Sequence, residues 1–218
     1  MARVRVLGAS DGDQLLRAFL DEMYRWNHRV NLTSVPRESG WQRHVEESLA
    51  LLAASPPETG ARVADVGAGA GVPGIPLAIV RPDLQVVLME GDQRKAGFLI
   101  HVAGLLGLQR VTVAAGRVEE LAHQPALRER FDLAVTRAAA SPAVICELAL
   151  PLIRVGGRLV AMVGDASAAA VACARAARLC GGAPPEILDG NLLAVAKSSP
   201  SPEGYPRRAG IPGRKPLL

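Results

Sequence analysis

The period of the hydrophobic positions changes near residue 60. Before that point Leu15, Leu16, Phe19, Leu20 and Met23 recur at helical spacing. They predict an amphipathic helix that ends near Asn27 and is capped by Asp11 or Asp13. Residues 1–10 have no clear period. Arg25, His28 and Arg29 fall on one face at the end of this helix. Cations there suit the helix dipole, or form an edge that contacts phosphate. After a polar loop a second helix is predicted from about residue 43 to 54, with His44 and Glu47 one turn apart as a surface pair. Pro56-Pro57 stops it. Residues 1–57 therefore predict a helical cap.

From residue 62 onward, short apolar runs alternate with helical segments. Strands are predicted at 63–66, 85–90, 111–114, 133–135 and 158–162. Helices are predicted at 75–80, 94–106, 143–150 and 166–179, with a short turn at 118–121. Two last runs, 186–188 and 192–196, predict a closing hairpin. Strands alternating with helices give an α/β core over 58–198, a mostly parallel sheet covered on both faces. Residues 199–218 are rich in Pro, Gly and basic side chains. They predict a tail, either disordered or bound to RNA phosphates through Arg207, Arg208, Arg214 and Lys215.

Composition narrows the classes. At 218 residues, 49% of them apolar, the chain has enough material for one domain with its own core. No apolar run approaches membrane-spanning length, and no charged-then-apolar leader opens the sequence. The three cysteines, at 146, 173 and 180, form no C-x-x-C pair, so neither zinc nor a disulfide framework is indicated, and a reducing cytosol fits. A net charge of +4 is modestly basic and admits a polyanionic partner. Aromatics at 3% are too few for a broad base-stacking platform.

The chemistry concentrates in Val63 to Pro76, V-A-D-V-G-A-G-A-G-V-P-G-I-P, a strand that breaks into glycines and closes on prolines before a helix. Strand, glycine turn and helix start make a nucleotide-type ligand site. Gly69, Gly71 and Gly74 satisfy G-x-G-x-x-G. Counted from the strand end, however, Gly67 and Gly69 fit and the third place falls on Val72, which argues against a dinucleotide. The pattern Asp65, Gly67, Gly69, Gly71 looks like motif I of the S-adenosylmethionine-dependent methyltransferases. Glu90, at the end of the second strand, is placed to accept ribose hydroxyls of any bound nucleoside. Val118 and Glu119 follow the third strand, where a backbone amide and a carboxylate can read an adenine edge; a solvated acid at a helix start is the alternative for Glu119.

Thr136-Arg137-Ala138 ends the fourth strand. The Asn/Asp-Pro-Pro-aromatic run that serves methylation of an exocyclic amine is missing there. Cys146 sits mid-helix, misplaced as a nucleophile for a pyrimidine C5. What remains is a target already nucleophilic, of which guanine N7 is one. It carries no proton, so alignment and desolvation replace a general base.

Taken together, Asn31-Leu32-Thr33, Arg43-His44 with Glu47-Ser48, the glycine loop, Arg117-Val118-Glu119 and Thr136-Arg137-Ala138 resemble the bacterial 16S rRNA guanine-N7 methyltransferases, also called glucose-inhibited division protein B. The ending around Tyr205-Pro206-Arg207-Arg208 and Lys215-Pro216-Leu217 is similar too. The resemblance implies a Rossmann-like class I methyltransferase fold with a seven-stranded sheet. It also implies S-adenosyl-L-methionine as cofactor, and no metal. With the pattern reading above, it makes Gly67, Gly69, Val72, Glu90, Val118, Glu119 and Arg137 candidate cofactor contacts. Arg117 and Arg137 become candidate catalytic residues, and His44, Arg207, Arg208 and Lys215 candidate RNA contacts. The implied partner is the 16S rRNA of the small ribosomal subunit, met by a cytoplasmic monomer. Two positions depart from the family pattern: Val163 and Asn191 stand where many members carry Lys and Arg. Either the basic tail at Arg207, Arg208, Arg214 and Lys215 compensates, or activity is lower. The two departures also motivate a non-catalytic RNA-binding reading, beside that of a methyltransferase acting on a protein or small molecule.

Overall fold

The computed structural model describes residues 9–137 and 140–218; residues 1–8 and Ala138 of the strand-end run lie outside them. Seven strands form one sheet in the order β3-β2-β1-β4-β5-β7-β6. They are β1 (Arg62–Val66), β2 (Gln85–Glu90), β3 (Val111–Ala115), β4 (Phe131–Arg137), β5 (Ile153–Met162), β6 (Glu186–Ile187) and β7 (Leu192–Ala196). The first five are parallel, and β7 lies antiparallel against both β5 and β6.

Side chains alternate across a strand, and here that alternation divides the core in two. Val63, Val86, Leu88, Leu133, Val135 and Val160 face one layer. It holds α1 (Ala9–Val30), α2 (Glu47–Ala54), α3 (Gly74–Val80) and α4 (Gln93–Leu105), represented by Phe19, Leu51, Ile75 and Phe98. Ala64, Val87, Met89, Ala134, Leu159 and Ala161 face the other. That layer holds α5 (Val118–Leu121), α6 (Pro142–Ala149) and α7 (Ala166–Leu179), with Leu121, Cys146 and Cys173 buried in it. By the same parity Asp65, Glu90 and Arg137 point toward the layer of the N-terminal helices.

The cap departs from expectation in two ways. Asp11 lies in the first turn of α1 instead of capping it. The segment ahead of α2 is a π-helix, Trp41–Glu46. There His44 is fully buried, so the expected surface pair with Glu47 does not form; burial of the imidazole under α1 overrides the local spacing.

The C-terminal segment differs more. It is neither a disordered nor a free tail. Glu147, buried in α6, accepts from the Arg207 backbone N–H (2.9 Å), Nε (2.7 Å) and Nη2 (2.7 Å). Arg128 donates to the carbonyls of Tyr205 (2.8 Å) and Ser201 (2.9 Å), and His123 to that of Pro206 (2.8 Å). A short helix α8 (Ile211–Arg214) completes the segment. Among the described residues no helix is long and apolar enough to cross a membrane.

Candidate functional site

In an open parallel sheet, ligands bind at the carboxyl ends of strands where the connections leave in opposite directions. Here that place lies between β1, which connects onward to β2, and β4 on its other side. The loop after β1 turns through Gly67 and Gly69 at φ 72° and 54°. A Cβ on Gly69 would meet only the Gly67 carbonyl at 3.8 Å, so this glycine opens onto the cavity. A Cβ on Gly71 would lie 2.7 Å from Ile75 Cγ1, so that glycine serves packing instead.

Glu90 ties the loop to β2. Its Oε2 accepts from the Gly69 N–H and its Oε1 from the Asp92 N–H, both at 2.8 Å. Each carboxylate oxygen has room for a further hydrogen bond. Asp65 is wholly buried and accepts from the Gly74 N–H at 2.8 Å, while its Oδ1 has no partner among the described residues. Burial pushes its pKa up to about 7, and the Glu90 charge adds to that; the Gly74 bond and the Arg137 charge oppose it.

Glu119 corrects the picture of a solvated acid, because it is buried. Its Oε1 accepts from Arg117 Nη2 (2.8 Å) and from the Gly210 N–H (3.0 Å). Burial alone would raise its pKa, but these hydrogen bonds outweigh burial and hold it below the usual value. Arg117 remains largely exposed beside it.

The loops after β1 to β4 enclose a cavity of about 800 Å³. Its walls include Gly67, Gly69, Val72, Glu90, Arg117, Val118, Glu119 and Arg137. All expected cofactor contacts and both candidate catalytic arginines thus line one space. His44, Arg207, Arg208 and Lys215 do not line it. His44 lies inside the fold and Arg207 is pinned to Glu147, whereas Arg208 and Lys215 are exposed. Wall segments that were not expected include Leu32 to Val35, Arg43, Lys95, Val144 with Leu148, and Gly210 with Gly213. The first is shaped by Asn27, whose Oδ1 accepts from the N–H groups of Leu32 (2.6 Å) and Thr33 (2.9 Å). For the last, the sequence offers a pair of glycines within the ending that resembles the family's.

A second cavity, of about 320 Å³, adjoins the first and shares Arg43, Arg137 and Ala140 with it. Pro142, Ile145, Met162 and Val163 give it an apolar wall, and Asn191 lines its rim. Both departures from the family pattern therefore sit here. The cations beside them are Arg43 and Arg137 rather than the C-terminal basic residues expected to compensate.

Residues 13–187 match the family model described as rRNA small subunit methyltransferase G. The chain belongs to this family. Similar chains include a ribosomal RNA small subunit methyltransferase G of Moorella thermoacetica, 38% identical over 93% of this chain and 89% of that one. Another of the same name, from Roseiflexus castenholzii, is 42% identical over 90% of this chain and 88% of that one. Among solved structures, a predicted O-methyltransferase from Agrobacterium tumefaciens superimposes with a TM-score of 0.55 at 19% identity, covering 71% of this chain and 82% of that one. A precorrin-6y C5,15-methyltransferase from Geobacter metallireducens gives 0.53 at 14%, over 70% and 88%. These two establish the class I methyltransferase fold, and family membership places this chain among the S-adenosylmethionine-dependent rRNA methyltransferases.

Proposed function

We propose that this protein transfers a methyl group from S-adenosyl-L-methionine to N7 of a guanine in 16S rRNA, acting on the small ribosomal subunit as a cytoplasmic monomer. The cap (1–57), core (58–198) and C-terminal segment (199–218) act as one globular unit. The observation that carries the proposal is the pair of adjoining cavities that share Arg137.

The donor fits the larger cavity. Gly69 leaves open space where a side chain would intrude. Glu90 keeps acceptor capacity on both oxygens for ribose hydroxyls, and Val118 and Glu119 offer an amide and a carboxylate to a purine edge. Bound there, the donor would supply a methyl group activated by a sulfonium.

The protein's own residues then position and desolvate. The smaller cavity presents an apolar wall against which a flat base can lie, and Arg137 stands at its junction with the larger one. Its guanidinium donates hydrogen bonds but accepts no proton. That suits N7, which has none to lose, and it leaves guanine O6 as the natural acceptor. Arg117 and the exposed Arg208 and Lys215 supply positive charge toward the RNA backbone.

Nucleoside mass spectrometry of small-subunit RNA tests the reading. RNA from cells lacking the protein should lose one 7-methylguanosine, and the purified protein with the donor should restore it. An unchanged nucleoside profile in both arms rejects it.

A further inference from the structure

Arg137, His44 and Thr33 form a hydrogen-bonded line between the two cavities. Arg137 Nη2 lies 2.8 Å from His44 Nδ1, and His44 Nε2 lies 3.2 Å from Thr33 Oγ1. The other Arg137 terminal nitrogen donates to the Arg43 carbonyl, inside the π-helical turn, and lies 3.7 Å from Glu47 Oε2. Thr33 and Arg137 line the larger cavity, and Arg137 also lines the smaller. His44 lines neither.

The donors fix the imidazole's state. A guanidinium only donates, so Nδ1 must accept and the proton of a neutral ring must reside on Nε2. Nε2–H then donates to Thr33 Oγ1, which also accepts from the Val35 N–H at 3.1 Å. With both acceptor positions filled, the Thr33 hydroxyl has its own hydrogen to give, at the wall of the larger cavity.

We propose that His44 is a positioning residue: it holds the Arg137 guanidinium at the junction of the two cavities and, through its enforced tautomer, makes Thr33 a donor toward the cofactor side. This rests on the reading of the cavities as donor and acceptor sites. The groups facing His44 are Arg43 and Glu47 from its own segment, Tyr24 from α1, with ring centroids 6.3 Å apart, and Arg137 from β4. Burial, then the Arg137 and Arg43 charges, lower its pKa to about 4, so the ring stays neutral where the reaction runs. A second proton would set an N–H against the guanidinium and release Arg137.

The test uses the full chain and unmodified small subunits. His44→Asn keeps an acceptor near the place of Nδ1; His44→Gln moves it toward the place of Nε2 and leaves Arg137 without its partner. Both are polar and close in size, so folding is checked by circular dichroism and is not the variable. The single-turnover rate for His44→Gln should fall roughly 10- to 100-fold, the size of one hydrogen bond to a charged group. His44→Asn should recover most of that loss, because it keeps the partner of Arg137. Long-range ¹⁵N–¹H spectra should show His44 protonated on Nε2 alone at neutral pH. Equal rates in the two variants, or an Nδ1–H or doubly protonated ring, overturn the assignment. Absence of transfer by the wild-type protein overturns the reading of function and the assignment with it. Wild-type transfer with equal variants overturns only the role of His44.

Discussion

Arg207 and Arg208 are neighbours in sequence with opposite circumstances, and replacing each by alanine separates them. Glu147 is fully buried and receives three hydrogen bonds from Arg207, two of them from the guanidinium. Arg207→Ala removes both charge-assisted bonds and leaves a buried carboxylate with one backbone N–H. Breaking a buried ion pair from one side costs about 3–5 kcal/mol. The retained backbone bond favours the lower end, about 3 kcal/mol. For a chain of this length each kcal/mol moves Tm by roughly 2–4 °C, so the melting point should fall by about 6–12 °C. Arg208 is exposed, and no hydrogen bond or ion pair of its side chain occurs among the described residues. Arg208→Ala should stay within about 0.5 kcal/mol of wild type. Calorimetric melts at pH 7 decide it. The Gly210 N–H that braces Glu119 lies three residues beyond Arg207, so Arg207→Ala should also weaken cofactor binding. Equal melting points for the two variants would refute the claim that the Arg207–Glu147 pair anchors this segment.

Three further outcomes follow from other contacts. Arg208→Gln and Lys215→Gln should each reduce the slope of log K against log salt for small-subunit binding by about 1 if the side chain meets a phosphate; an unchanged slope removes that residue from the RNA face. Asp65 has a folded pKa raised to about 7. Both states are therefore protonated at low pH, the unfolded chain ionises first, and stability is lost as pH rises from about 4 to about 7. Asp65→Asn should gain stability relative to wild type across that window, by about 4 kcal/mol at most; a difference between the two melting points that does not vary with pH would exclude it. Gly71→Ala, at φ 84° with Ile75 in the way, should lower Tm by more than Gly69→Ala, which should cost more in cofactor affinity; the reverse order would contradict the two glycine roles.

The sheet was legible because its strands are nearly continuous apolar runs, and 85–90, 166–179 and 192–196 coincide with β2, α7 and β7. Two strands extend further than their patterns by more than one residue. β5 begins at Ile153, ahead of Arg154-Val155-Gly156-Gly157, a stretch that reads as a turn. β4 begins at Phe131, followed by Asp132, whose charge looks out of place in a strand. Asp132 is used at the sheet's end, accepting from the Arg62 N–H (2.7 Å) and Arg154 Nε (2.7 Å). The glycine loop, Glu90, Glu119 and both arginines could be found because they sit at strand ends, where local sequence dictates position. His44 and Arg207 were misplaced for a shared reason. Each is held by a partner far along the chain, Arg137 and Glu147, and no spacing rule reaches that distance. Glu147 in particular lies within a run of apolar residues that reads as plain core.

The larger cavity draws its walls from Leu32 to Gly213, nearly the full span of the chain. An occupant therefore acts as a staple, touching stretches that loosen separately in the unfolding protein. At a concentration a hundred times its Kd it would add about 2.7 kcal/mol to the stability of the whole molecule. Thermal shift thus becomes a direct reporter of ligand chemistry here, and cellular lifetime would follow the supply of whatever fills that space.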